Sequence, residues 1–232
     1  MPDIDITTDK GEQFGAYLAL PDGDGKAPVV VMIQEIFGVN AEMRRKCDEM
    51  AEKGYIAVCP DLFWRIKPGI QLTDKTDAEW EQAFDLFGKF DPDKGTEDIQ
   101  ATIDELRGHD RSNGKVGAVG YCLGGQLAYM TATRTDADCS VGYYGVRINE
   151  MLDEAGNIKK PLMLHIAGKD EFVPPEAQNA IIDALAGHPL ATTHHYPEND
   201  HAFARFGGAH YDEESANLAN NRTAAFLEQH LQ

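Results

Sequence analysis

A cysteine set in Gly120-Tyr121-Cys122-Leu123-Gly124-Gly125 constrains the folding of this chain more than any other run. The apolar stretch Lys115-Val116-Gly117-Ala118-Val119-Gly120 leads into it from Ser112-Asn113-Gly114, and Gln126-Leu127-Ala128-Tyr129-Met130-Thr131-Ala132 leaves it with helical character. A strand that turns sharply into a helix needs small residues beside the turn, and Gly120 and Gly124 let the two backbones approach without a Cβ clash. Cys122 then stands above a sheet edge at a helix N-terminus, where the helix dipole and free N–H groups favour a thiolate and, later, an oxyanion. Cys47, Cys59 and Cys139 occupy no such turn and read as buried packing residues.

Strand and helix patterns alternate along the rest of the chain. Residues 15–20 and the apolar runs over 28–34, 55–60, 140–144 and 161–166 read as strands. Helical patterns cover 41–53, 77–90, 93–106, 175–186 and 213–231, with 64–75 as a loop. This is an α/β chain with a mostly parallel central sheet and helices on both faces. In such sheets the working groups gather at the carboxyl ends of the strands. No linker or repeat divides the 232 residues, so 1–232 reads as a single domain.

Composition narrows the function classes. With 21 basic against 39 acidic residues the net charge is −18, which opposes binding to nucleic acid and to anionic membrane surfaces. No apolar run has the length of a membrane span, and Met1-Pro2-Asp3-Ile4-Asp5 has neither the basic nor the apolar region of an export signal. Four cysteines without CxxC spacing then point to reduced thiols and a cytoplasmic location. His194 and His195 are successive strand residues facing opposite ways, and no HExxH or Cys/His cluster suggests a metal site; His165, inside an apolar strand, reads as a satisfied core or sub-surface residue. The oligomeric state is open, with a monomer as the working expectation.

A thiol nucleophile needs a base and the base needs an orienting group. Both follow in chain order: an acid in Gly168-Lys169-Asp170-Glu171-Phe172-Val173-Pro174, after a strand, and a histidine in Glu198-Asn199-Asp200-His201-Ala202-Phe203, before the last helix. Nucleophile, acid, histidine is the order of the α/β-hydrolase fold, and it assigns Cys122, Asp170 and His201, although Glu171 and Asp200 lie next to the chosen residues. Glu35 leaves an early strand in Gln34-Glu35-Ile36-Phe37-Gly38-Val39-Asn40, at the same sheet edge as the elbow. In this fold the oxyanion hole combines the N–H after the nucleophile, here Leu123, with one from that early loop, here Ile36.

With these segments assembled, the chain resembles the dienelactone hydrolase family, also called carboxymethylenebutenolidases, over nearly its whole length. The resemblance rests on Glu35-Ile36-Phe37-Gly38, Ala57-Val58-Cys59-Pro60-Asp61-Leu62, the elbow itself, Val141-Gly142-Tyr143-Tyr144-Gly145 and His201-Ala202-Phe203-Ala204-Arg205. It implies hydrolysis of a cyclic enol-lactone through a thioester, with no metal or organic cofactor. Cys122 would attack the carbonyl, His201 positioned by Asp170 would support the thiolate, and Glu35 would match the family's activating glutamate. Arg205 matches one of two arginines that hold the substrate carboxylate in well-known members. At the other this chain has Trp80, and Phe84 stands where those members have a tyrosine; with Tyr144 these complete the expected substrate-binding set. An indole donates one hydrogen bond and has no charge, so it does not replace a guanidinium. Arg65, Lys67 and Lys75 are the candidates for a replacement cation. A general carboxylesterase or thioesterase is the alternative within the enzyme class, and a non-catalytic ligand-binding protein of the same fold is the alternative outside it.

Overall fold

An apolar run with no polar alternation has to be covered on both faces, and β3 (Ala27–Ile33) is buried at every residue in the computed structural model, which describes residues 3–232. The first two residues of the N-terminal segment considered above lie outside the described residues. The chain forms two compact units, one ending at Gly117 and the next beginning at Ala118. The boundary falls inside a single strand, β5 (Ser112–Tyr121), once the elements are numbered in chain order.

The first unit holds β1 (Ile4–Thr7), β2 (Gln13–Ala19), β3, α1 (Ala41–Glu52), β4 (Ile56–Pro60), α2 (Asp77–Lys89) and α3 (Pro92–Arg107), then enters β5. Its strands lie in the order β1-β2-β4-β3-β5. β1 and β2 pair antiparallel, as do β2 and β4, whereas β3 and β4 run parallel with Val30 opposite Ala57. α1 packs on β4 and β2, and α3 on β1 and β3. Each helix begins at a side-chain cap: Asn40 accepts from the Met43 N–H, Thr76 from Glu79, and Asp91 from both Asp93 and Lys94 just ahead of Pro92.

The second unit continues β5-β6-β7-β8. It adds α4 (Leu123–Arg134), β6 (Cys139–Tyr143), a kinked 3-10 helix (Ile148–Asn157), β7 (Leu162–Ala167), α5 (Pro175–Leu185), β8 (Ala191–Tyr196) and α6 (Glu213–Leu231). β6, β7 and β8 are mutually parallel in register, with His165 opposite Tyr143 and His194. α4 and α6 pack on β6 and β7. The sheet is thus mixed and mostly parallel with helices around it, as the alternation of patterns requires.

The structure departs from the sequence reading in three places. β1 and the 3-10 helix have no pattern that announces them, one being only four residues long and the other kinked at Met151. Ser112-Asn113-Gly114 does not precede the elbow strand but belongs to it: Gly114 takes φ 88° and its N–H bonds to Ser112 Oγ at 3.0 Å, so the turn chemistry sits inside β5. Among the described residues, no helix is long and apolar enough to cross a membrane.

Candidate active site

The end of β5 and the start of α4 form the turn read from the sequence. Cys122 is the N-cap of α4, at φ 57° and ψ −113°, a conformation that costs a residue with a Cβ on the order of 1–3 kcal/mol. It is held there from both sides. Its N–H donates to the Tyr143 carbonyl of β6 at 3.0 Å, and its own carbonyl accepts from Gly125 at 2.9 Å and Gln126 at 3.1 Å. A Cβ on Gly120 would collide with the carbonyl of Gly124, and one on Gly125 would lie 2.5 Å from the Tyr143 oxygen and 2.7 Å from the Gly145 Cα. Whereas α1, α2, α3 and α6 begin at a capping side chain, α4 has none. Leu123, its first residue, therefore begins a helix whose N-terminal N–H groups are not taken up by a cap, the arrangement that suits an anion.

In the same unit, the loops after β7 and β8 bring an acid to a histidine. Asp170 and His201 are both buried, and Asp170 Oδ2 lies 2.7 Å from His201 Nδ1. The other carboxylate oxygen accepts the Phe172 N–H at 2.9 Å, which fixes the rotamer of the acid. Glu171 is exposed and Asp200 sits 3.5 Å from His210, so burial and pairing separate Asp170 from the neighbouring carboxylates. Tyr144 and Phe172 both set ring edges against the imidazole, at centroid distances of 5.1 and 4.9 Å. Burial opposes a charged ring at this position. With Cys122 in its thiolate form, the negative sulfur and the bond to Asp170 outweigh it and push the His201 pKa from 6.5 up to about 10. His201 Nε2 is buried with no hydrogen-bond partner among the described residues.

The remaining candidates of this unit lie close by in sequence. Arg205 is half-buried, three residues beyond Ala202, whose φ of 62° turns the chain after His201. Its N–H donates to the Ala202 carbonyl at 2.9 Å.

In the first unit, Glu35 and Ile36 are buried just past β3. Gln34 braces the loop, accepting the Leu62 N–H at 3.1 Å and donating to the Glu35 carbonyl at 3.4 Å. Trp80 sets its ring edge-on to Phe37 of the same loop at 5.0 Å, stacks on Phe84 at 5.5 Å, and donates its indole N–H to the Asp74 carbonyl at 3.2 Å. That single donor is spent, so Trp80 and the half-exposed Phe84 form an apolar shelf where well-known members carry an arginine and a tyrosine. Of the replacement cations, Arg65 is committed elsewhere. It bonds to Asp98 at 2.9 and 3.3 Å and to Glu12 at 2.8 Å, and lies 4.1 Å over the Trp64 ring. Lys75 pairs with Asp74 at 3.3 Å, and Lys67 is exposed.

Two features, Phe172 and Lys46, escape sequence reasoning, whereas His165 is the satisfied core residue expected from its apolar strand. Phe172 covers His201 although its sequence context is an ordinary polar loop. Lys46 is a buried lysine on α1 whose pKa is lowered by burial and supported by Glu42, 3.6 Å away, and then by Glu35, so a cation lies within the field of the candidate glutamate. The spacing of Glu42 and Lys46, four apart on a helix, is the one sequence signal for it. His165 joins β7 to β8 and α6, with Nδ1 2.8 Å from Tyr196 Oη and Nε2 3.0 Å from Thr223 Oγ1, which in turn lies 2.6 Å from Tyr143 Oη. Burial holds this ring's pKa well below 6.5, with His194 and Arg222 adding to the effect. His194 stacks on His165 while His195 reaches Gln178 at 3.3 Å, and among the described residues no group of three or more His, Cys, Asp or Glu is placed to hold a metal ion.

Comparison with known proteins shows the family of the chain. The model of the dienelactone hydrolase family matches residues 14–231. A relative from Azospirillum brasilense is 50% identical over 235 residues, spanning 100% of both chains. The carboxymethylenebutenolidase of Pseudomonas putida is 42% identical over 224 residues, covering 97% of this chain and 94% of its own. A solved structure from Klebsiella pneumoniae subsp. pneumoniae superposes with a TM-score of 0.85 at 28% identity, covering 97% of each chain. By sequence, by fold and over its full described length, this chain belongs to the dienelactone hydrolase family of the α/β-hydrolase fold.

Proposed function

We propose that this protein opens an enol-lactone of the dienelactone type, or a closely related carboxylic ester, through a thioester on Cys122. By family membership it is a hydrolase acting on carboxylic ester bonds. The observation that carries the finer reading is the buried Asp170–His201 hydrogen bond, on a ring that also feels the charge of Cys122.

In this reading the Cys122 sulfur attacks the lactone carbonyl carbon, and the oxyanion is received by the N–H groups of Leu123 and Ile36. The ring C–O bond breaks, the enolate oxygen leaves, and the acyl group stays on sulfur. Water then attacks the thioester with His201 taking its proton, the C–S bond breaks, and the acid product departs as the thiol is restored. Asp170 holds the imidazole in the tautomer and orientation this needs. Glu35 takes the thiol proton when substrate arrives and passes it to the departing enolate oxygen, so the resting cysteine stays protonated and is spared from oxidation. Hydrogen bonds of such pairs commonly tighten only with substrate present, and His201 Nε2 has no partner among the described residues without it. We read residues 1–232 as one catalytic domain, because the unit boundary falls inside continuous β5 and not in a linker. A cytoplasmic setting suits four cysteines that are all free thiols.

The Trp80–Phe84 shelf favours a second reading, a broader esterase or thioesterase that uses the same residues. The test of the nucleophile serves both. Cys122→Ala is expected to abolish hydrolysis of dienelactone and of simple esters, iodoacetamide to block the wild-type enzyme, and acid-quenched reactions to show an acyl adduct by intact mass. Full activity in Cys122→Ala would end the proposal.

A further inference from the structure

None of the residues assigned to chemistry lines a cavity of about 340 Å³ in the first unit. Its walls include Tyr17 of β2, Val39, Arg44 of α1, Asp61, Pro68 and Ile70. The volume is at the small end of the range of about 300–1,000 Å³ for small-molecule sites. On one side the cavity adjoins the loop that begins with Glu35. Gly38 packs so closely on the Ile70 carbonyl that a Cβ would collide with it, Gly38 and Gln71 form a β-bridge, and the Leu72 N–H donates to the Phe37 carbonyl at 2.9 Å.

The two charged groups of this cavity are not paired with each other. Arg44 is half-buried, with Nη1 bonded to the Val39 carbonyl at 2.9 Å, and it forms no ion pair among the described residues. Arg44 shares this with Arg111 and Arg222, which are half-buried on the Pro21 carbonyl and on Tyr196, but of the three only Arg44 is among the residues lining this cavity. Asp61, in the same wall, does not serve it. Its two oxygens accept the N–H groups of Gly69 at 2.6 Å and Phe63 at 3.1 Å. Tyr17 donates its hydroxyl to Asp48 at 2.7 Å, so it lends the cavity ring carbons. The wall thus carries one cation, Arg44, whose charge is not paired with Asp61, beside the apolar faces of Tyr17, Val39, Pro68 and Ile70.

We propose that this cavity is a binding site for a small monocarboxylate with an apolar body, its carboxylate on Arg44 and its body between Tyr17, Val39, Pro68 and Ile70. One guanidinium with free donors matches one carboxylate in a planar, charge-assisted pair. A phosphate dianion brings a second charge that Arg44 alone does not neutralise. The site is separate from the ester-hydrolysing residues and does not depend on the assignment of Cys122.

Benzoate is the probe and benzamide its neutral counterpart. Titration calorimetry on the full chain is expected to give a benzoate Kd on the order of 0.1–1 mM, with binding weakened roughly tenfold or more in Arg44→Met and by a similar factor for benzamide. On the wild-type protein, benzoate is expected to protect Arg44 from modification by phenylglyoxal, read from the mass of its peptide, whatever the folding of the variant. Benzamide binding as tightly as benzoate, unchanged affinity in a folded Arg44→Met, or modification of Arg44 at the same rate with and without benzoate would each overturn the proposal.

Discussion

Cys122 is held at φ 57° by hydrogen bonds to Tyr143, Gly125 and Gln126, so the strain at the turn is borne by β6 and the first turn of α4. The histidine is controlled as firmly. Since the fold raises the His201 pKa above its ordinary 6.5, the ring contributes stability that is complete below that value and is lost as pH climbs through about 10. Asp170→Asn keeps the shape of the acid and removes its charge. It is expected to lower kcat by about 10²–10⁴-fold with little change in KM, and to bring the imidazole titration seen by NMR, and with it the loss of stability, to lower pH. Wild-type kcat in this variant would remove Asp170 from its proposed role.

At the scale of elements, the site depends on how closely β5 and α4 approach. Gly120 faces backbone at Gly124, which has no side chain to move aside, so Gly120→Ala is expected to cost at least about 2 kcal/mol in urea unfolding. Gly88 on α2 provides the contrast: a Cβ there meets nothing within 4 Å. Gly88→Ala is expected to be neutral or to stabilise by up to about 1 kcal/mol, through helix propensity and a less free unfolded chain. Equal effects at the two glycines would contradict the packing argument. Length explains why β1 was silent in the sequence, since four residues are too few to show a period, whereas the ten-residue 3-10 helix is broken by its kink at Met151.

Over the whole molecule, the charge is −18 and two of the cations nearest to replacing the absent arginine are paired, Arg65 with Asp98 and Glu12, and Lys75 with Asp74. An anionic substrate meets a repelling field and an apolar shelf of Trp80 and Phe84. The methyl ester of dienelactone is therefore expected to show a kcat/KM roughly tenfold above that of the free acid, a gap that narrows as added salt screens the field. Steady-state kinetics on the two compounds decide it, and a strong preference for the acid would contradict the reading.

The chain by itself determined the elbow, the order of Cys122, Asp170 and His201, and the alternation that yields a mostly parallel sheet, because these follow from local sterics and from hydrophobic periods carried by neighbouring residues. It left Asp170 and Glu171 adjacent, and Arg65 and Trp80 without known partners. Only the tertiary structure buried Asp170 against His201 while exposing Glu171, joined Arg65 to Asp98, gave the Trp80 N–H to Asp74, and left Arg44 in the wall of a cavity without an ion-pair partner among the described residues. The physical reason is range: burial and charge pairing are set by residues far apart in the chain, and no local pattern encodes which of two neighbouring groups loses its water.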